Sequence, residues 1–262
     1  RTRRALLLKA AQLGAAIALP SCTNTRQAGD SHGVVVNDVQ SHLNPTRVHR
    51  IVQPKSLDNI QHALHNAQRQ GRFISVAGGR HSMGGQQFGR DTILIDMKKF
   101  NRVVRFDERK GHIEVEGGIQ WPELIDYLHH EQREHRTAWA IREKQTGVDR
   151  VTLAGSLSSN IHGRGLRFPP IIGDIESFVL MDAKGEAHTC SRRENPELFA
   201  LAIGGYGLFG IILQITLRLA PRTKLERVVE VIAVKDLLSR VAERIRQGFV
   251  YGDCQYSTDL ET

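Results

Sequence analysis

The residues with most scope for chemistry sit in three glycine-rich stretches of the 262-residue chain. The first, Gly78-Gly79-Arg80-His81-Ser82-Met83-Gly84-Gly85, follows the strand-like Phe73 to Val76. Successive glycines let backbone N–H groups converge, and such a nest binds phosphate oxygens. Ser82 adds a hydroxyl donor and Arg80 a positive charge. This is no Walker loop, because no Gly-Lys-Ser/Thr follows. The G-x-G-x-x-G spacing fails too, and no long helix comes after it. The plain alternative is a glycine-rich turn with no ligand. His81 is the unusual member. Its ring either donates a hydrogen bond or acts as the nucleophile that attaches a cofactor, since neutral imidazole is capable of both.

The second stretch runs from Gly147 through Thr152, Gly155 and Ser156 to Ser159-Asn160-Ile161-His162-Gly163. Small side chains let a backbone approach a flat ligand, hydroxyls supply donors, and a helix N-terminus after Thr152 favours an anion. Close helix–sheet packing is the competing explanation. The third, Gly204-Gly205-Tyr206-Gly207-Leu208-Phe209-Gly210-Ile211-Ile212, joins a helix to a strand. It needs special backbone angles or room for a neighbour, or is an ordinary loop. Three such sites support one another, because a long dinucleotide-like cofactor touches several loops. Cys190 and Cys254 read as buried small hydrophobes.

Elements must hold these stretches in place. Ser56 caps a helix with the stripe Leu57, Ile60, Leu64 and Ala67, stopped by Gly71. Thr92 to Met97 reads as a strand. Val103 to Phe106 and His112 to Glu116 form a hairpin with one wet face. Pro122 opens a helix carrying Leu124, Ile125 and Leu128. Thr152 caps a short helix to Asn160. A second hairpin pairs Phe178–Met181 with Ala187–Cys190, Asn195-Pro196 starts a helix to Ile203, and Ile211 to Leu219 is a strong strand. Hairpins with intervening helices predict an α+β fold. From about residue 225 a second unit starts, with Val228 to Val234 strand-like, Leu237 to Ile245 an amphipathic helix, and Phe249-Val250-Tyr251 another strand start.

Composition narrows the function classes. Lys+Arg is 36 against 28 Asp+Glu, a net +8, with 40% apolar and 24% charged residues. These fractions are those of a globular chain rather than a disordered one. No run of about 18 apolar residues is present, so no ordinary membrane-spanning helix is expected. Three cysteines are too few and scattered for a disulfide framework or a Cys-based zinc site, and no metal is expected. Four of the eight excess charges (Arg1, Arg3, Arg4, Lys9) precede residue 22, and aromatics are 6%. Nucleic-acid binding is accordingly not expected.

Residues 1–22 resemble a twin-arginine export signal: Arg3-Arg4, then an apolar run to Leu19. Leu19-Pro20-Ser21-Cys22 resembles a lipoprotein cleavage box, although Pro20 is unusual there. An amphipathic N-terminal helix is the alternative. Residues 23–44 read as linker and lead-in, with 23–35 polar. Arg1 in place of Met, and the lack of a closing signal at Tyr256 to Thr262, predict that both ends are cut.

Ser75-Val76-Ala77-Gly78-Gly79-Arg80-His81-Ser82, then Glu116-Gly117-Gly118, then Thr152 to Gly163 and Gly204 to Ile212, occur in the order found in the vanillyl-alcohol-oxidase or p-cresol-methylhydroxylase (PCMH) type of FAD-binding domain. The resemblance covers roughly residues 45–221 and is nearest to sugar-lactone and alditol oxidases and decaprenylphosphoryl-ribose oxidase. It implies two α+β subdomains with FAD between them, then the truncated start of a substrate (cap) domain at 222–262. It implies that Ala77 to Ser82 wrap the FAD pyrophosphate and that His81 matches the site of an 8α-histidyl flavin bond. Gly117 lies in a matching motif. Gly147, Thr152, Gly155, Ser156, Ser159 and His162 match positions lining the flavin or its ribityl and phosphate groups, and Ile211 or Ile212 an adenine-side contact.

The implied reaction is oxidation of a C–OH centre of a sugar, alditol, aldonolactone or hydroxy acid. The substrate passes a hydride to flavin N5, and oxygen or another acceptor takes the electrons. His162 is a candidate catalytic residue as well as a hydrogen-bonding one. The expected partner is a small hydroxyl-bearing substrate; the only expected membrane contact is a lipid on Cys22. The expected location is exported, periplasmic or anchored outside the cytoplasmic membrane. Rivals are an FAD-dependent enolpyruvyl-sugar reductase, which His81 and the export signal oppose, and a non-catalytic flavin-binding lipoprotein.

Overall fold

The computed structural model describes residues 33–135 and 138–257. The chain starts with β1 (Val34–Val36), β2 (Thr46–Val48) and β3 (Arg50–Val52), none of which is evident in the sequence. β1 pairs antiparallel with β2, so the expected linker 23–35 ends in a strand. The predicted helix follows as α1 (Leu57–Arg69); Ser56 Oγ accepts the Asn59 N–H at 3.3 Å and Gly71 takes φ +60° just beyond the end. Then come β4 (Ile74–Ala77) and β5 (Ile93–Asp96), which form a parallel sheet of order β3-β5-β4. β5 is buried at all four positions, as the middle strand of a covered parallel sheet must be.

The second layer uses β6 (Val103–Asp107), β7 (His112–Glu116), α2 (Trp121–Glu131), β8 (Trp139–Ala140), α3 (Leu153–Ser158), β9 (Ile175–Met181), β10 (Ala187–Ser191), α4 (Pro196–Ala202) and β11 (Ile211–Arg218). Both predicted hairpins form, and the antiparallel sheet runs β10-β9-β11-β7-β6. α2, α3 and α4 contribute Trp121, Leu124, Leu157 and Phe199 to the core on one face. Ile211 and Leu213 of β11 join Ile60 and Ala63 of α1 and Ile95 of β5 in a second core. Ile211-Ile212-Leu213 is apolar on consecutive positions because the start of β11 is covered on both faces. The two α+β parts meet there.

Several expectations fail locally. Asn195 has φ +46° and makes no side-chain cap; its Nδ2 donates to Thr189 O at 2.7 Å. β12 (Ala220–Pro221) pairs with β8, but Val228 to Val234 is not a strand. A lone apolar stretch has no ladder to join, and Val231 stays 98% exposed. Phe249 to Tyr251 gives one bridge, Tyr251 to Gly165, rather than a strand. α5 (Leu237–Arg246) forms as predicted, with no buried residue, held by Glu230 to Arg240 and Arg244 at 3.2 and 3.0 Å. Cys190 is buried as expected, and burial pushes its thiol up to about 11; Cys254 is exposed, against expectation. The expected export signal and Cys22 lie outside the described residues.

Candidate functional site

The glycine loop leaves the C-terminal end of β4 and borders a cleft of about 280 Å³, open to solvent. The shape of the loop is set by what its carbonyls do. Arg80 O accepts the Val39 N–H at 2.9 Å, Ser82 O accepts Gln87 Nε2 at 3.1 Å, and Met83 O accepts Asn44 Nδ2 at 2.7 Å. Among the described residues, the N–H groups of Gly79 to Gly84 donate to no protein acceptor. Carbonyls pinned to the protein beside a run of free N–H groups make an anion-binding nest. Glycine is required by space as well. A Cβ at Gly78 would lie 2.0 Å from Thr152 Oγ1, and one at Gly79 2.4 Å from Arg150 O.

The backing of this loop was missed in the sequence. Asn44 Nδ2 also reaches Asp38 Oδ2 at 2.9 Å, and Asp38 accepts the N–H groups of Gln40 and His42 at 3.1 and 3.2 Å. Burial works to raise the Asp38 carboxyl, but hydrogen bonds from Asn44, Ser41 and His42 overcome it and hold the group far below the carboxylate range. The signal was the Asn37-Asp38 pair followed by Asn44, a pattern of residues that hydrogen-bond nearby backbone.

Arg80 needs a correction. Its guanidinium meets Asp96 Oδ2 at 2.7 Å, with Asp96 0% and Arg80 17% exposed at the side chain. The expected positive charge is thus paired with β5, with Arg80 itself at φ +59°, while Lys98 Nζ stands 3.6 Å from the same carboxylate. The donors left for an anion are the backbone N–H groups and the unpartnered Arg80 Nε. His81 lines the cleft with Nδ1 buried and unpartnered. So do Gln87 and Gln145, each with a buried Oε1 that no group in the protein satisfies. Neither glutamine had a sequence motif to mark it. With the buried Arg80 Nε, which also has no partner, four orphaned polar atoms in one cleft await a ligand carrying both donors and acceptors.

α3 forms the facing wall. Thr152 Oγ1 accepts the Gly155 N–H at 3.2 Å, and Ser159 Oγ donates to Gly155 O at 3.1 Å. Ser156 Oγ is taken by the buried Trp121 Nε1 at 3.1 Å, so it braces α2 as well as lining the cleft. At six residues α3 adds little dipole, and its value is small side chains that keep the wall low. The third stretch closes the site with Tyr206, Gly207, Gly210, Ile211 and Ile212.

The cleft therefore gathers Gly78, Gly79, Arg80, His81, Ser82, Thr152, Gly155, Ser156, Ser159, Ile211 and Ile212 from the sequence candidates. Four others stand apart. Ala77 is buried at the end of β4. Gly117 is a packing glycine, since a Cβ there would lie 2.5 Å from Ile212 O. Gly147, at φ +88°, has no atom within 4 Å of its Cβ position. His162 is exposed, with Nδ1 3.1 Å from Gly163 O, and a catalytic role at the cleft has no geometric basis. It lies beside Glu143, which is 3% exposed and whose carboxyl is pushed up by burial. One group of metal-capable side chains exists among the described residues, Asp182, Glu186 and His188, at the β9–β10 turn outside the cleft. No described helix is long and apolar enough to cross a membrane.

Comparison with known proteins agrees with this geometry. A family model described as an FAD binding domain matches residues 48–191. L-gulonolactone oxidase of Bos taurus is 28% identical over 74% of this chain and 42% of its own length. The mitochondrial L-galactono-1,4-lactone dehydrogenase 2 of Oryza sativa is 30% identical over 75% of this chain and 32% of its own. The chain thus spans less than half the length of these relatives. A solved structure titled alkyldihydroxyacetonephosphate synthase superposes with TM-score 0.57 at 22% identity, covering 65% of this chain and 31% of that one.

Proposed function

Because the chain belongs to the FAD-binding-domain family, with the PCMH-type α+β fold, we propose that the cleft holds FAD for oxidation of a C–OH centre, with a sugar lactone or related polyol as the substrate class. One observation carries the reading: Gly79 to Ser82, whose N–H groups have no acceptor among the described residues, line a cleft that also holds four orphaned polar atoms. The residues fit the group. The nest suits the pyrophosphate, the low wall of Gly155 and Ser159 admits a flat ring system, and Gln87 and Gln145 offer acceptors for its polar edges. Bound flavin supplies the two-electron acceptor that no side chain provides. Names of the lactone-oxidising relatives support the substrate class.

His81 is the proposed point of covalent attachment, supported by its place in the cleft and its unpartnered Nδ1. Through a ring nitrogen His81 would hold the flavin and keep it in the cleft. Residues 222 onward are proposed as the start of a substrate-covering domain, supported by the exposure of Val229, Val231 and Leu238. Export through residues 1–22, with lipid on Cys22, completes the proposal.

The test is a visible spectrum of the full-length protein before and after acid precipitation. Flavin colour kept in the pellet, and released by His81→Ala, is the expected result. Colour in the supernatant removes the covalent link. Folded protein that takes up no FAD from the medium refutes the assignment. L-Gulono- and L-galactono-1,4-lactone are the first substrates to try, with oxygen uptake and dye reduction read in parallel.

A further inference from the structure

Tyr206 breaks local rules. It takes φ +52°, a region where bulky side chains are outliers. Gly204, Gly205 and Gly207 surround it, and a fourth glycine would have cost nothing in conformation. Its N–H is tied to Ser158 O at 3.0 Å, so the strained geometry is fixed rather than incidental. The residue lines the cleft and is 57% exposed. Among the described residues its hydroxyl has no hydrogen bond and its ring no aromatic or cationic neighbour. Packing within the protein does not account for a ring held there. Strain of this kind concentrates at ligand sites.

Its location gives the ring a use. The nest backs onto Arg150 and Thr152, at the start of α3. Tyr206 is pinned to Ser158, at its end. Six residues at about 1.5 Å each separate the two by roughly 9 Å. A dinucleotide with its pyrophosphate in the nest carries a planar ring on either side at about that reach, and between the two anchors the cleft wall is made of the small residues Ala154, Gly155 and Ser156. Resting on the FAD reading, we propose that Tyr206 is a stacking residue whose ring lies against one heteroaromatic ring of the bound dinucleotide. Aromatic faces accept any such ring, adenine or isoalloxazine.

The experiment titrates the full chain, in a His81→Ala background so that ligand exchanges freely, with FAD, ADP and FMN. Tyr206→Asn removes the ring and tolerates the left-handed backbone; Tyr206→Phe keeps the ring. The expected result is a roughly 5- to 150-fold weaker FAD Kd for Tyr206→Asn, the range for losing one ring stack, and little change for Tyr206→Phe. Loss shared by ADP but not FMN assigns the adenine, and the reverse assigns the isoalloxazine. Equal affinities in Tyr206→Asn and its parent overturn the proposal, as does equal weakening of ADP and FMN or a Tyr206→Phe as weak as Tyr206→Asn. If Tyr206→Asn does not fold, Tyr206→Gly relieves the strain and carries the same test. A parent that binds no FAD instead refutes the functional reading itself.

Discussion

Gly78→Ala tests the link between the nest and α3. The added Cβ would lie 2.0 Å from Thr152 Oγ1 and 3.1 Å from Thr152 Cβ and Cγ2, where 3.4 Å is ordinary contact. The two backbones must therefore part by about 1.4 Å at the oxygen. Thr152 has no easy escape: it is buried, β-branched, and its Oγ1 caps the Gly155 N–H. Overpacking of this kind costs about 1–3 kcal/mol, and a lost cap about 1 kcal/mol. For a domain of this size the two together are a fall of roughly 4–16 °C in Tm. The nest moves relative to the cleft wall by about 1 Å, a misplacement that can cost up to about 100-fold at a positioned ligand. The assay is thermal unfolding of the apo protein together with FAD titration. Thr152→Ala removes the clashing oxygen, so the double variant should be less destabilised than the sum of the singles by about 0.5 kcal/mol or more. Wild-type Tm and FAD affinity in Gly78→Ala, or strict additivity in the pair, would refute the reasoning.

Arg80→Met strands Asp96, which has no solvent access, and should cost about 3–5 kcal/mol in urea unfolding; a loss under about 1 kcal/mol would mean Lys98 suffices as partner. Burial raises the Glu143 carboxyl, so the native state favours its protonated form. That contribution is full at low pH and is lost as pH rises through the folded pKa. Glu143→Gln should then gain on the wild type in melting temperature as pH rises above the ordinary carboxylate range, and a gap that does not grow with pH counts against it. Iodoacetamide at about pH 8 should label Cys254 and spare Cys190, as mapped by peptide mass; a labelled Cys190 in folded protein contradicts its burial. Gly147→Ala should lower stability through its φ of +88° while leaving FAD affinity alone, since nothing packs on it. Weaker FAD binding would return Gly147 to the site.

Much was legible in the sequence because it is local. Ser56 and Thr152 are caps wherever they stand before an apolar-periodic run, and each accepts the expected N–H. The alternation in Val103–Asp107 and His112–Glu116 encodes a one-sided hairpin before any partner is known. The glycine spacing of residues 78–85 announced a nest for the same reason, since converging N–H groups are a backbone property. β1 to β3 were not legible: at three residues each, they carry too few positions for a period to appear.

What the tertiary structure alone decided is which way polar groups point. Arg80 reads as a free charge in the chain, yet Asp96, sixteen residues on, claims it because a buried carboxylate must be paired. His162 shares a motif with cleft residues but is turned to the surface, while Gln87 and Gln145, with no motif, line the cleft. Val228 to Val234 has the composition of a strand and no strand to pair with. Caps, periods and glycine turns depend on neighbours within a few residues. Ion pairs, orphaned polar atoms and strand pairing depend on groups that meet only once the chain has folded.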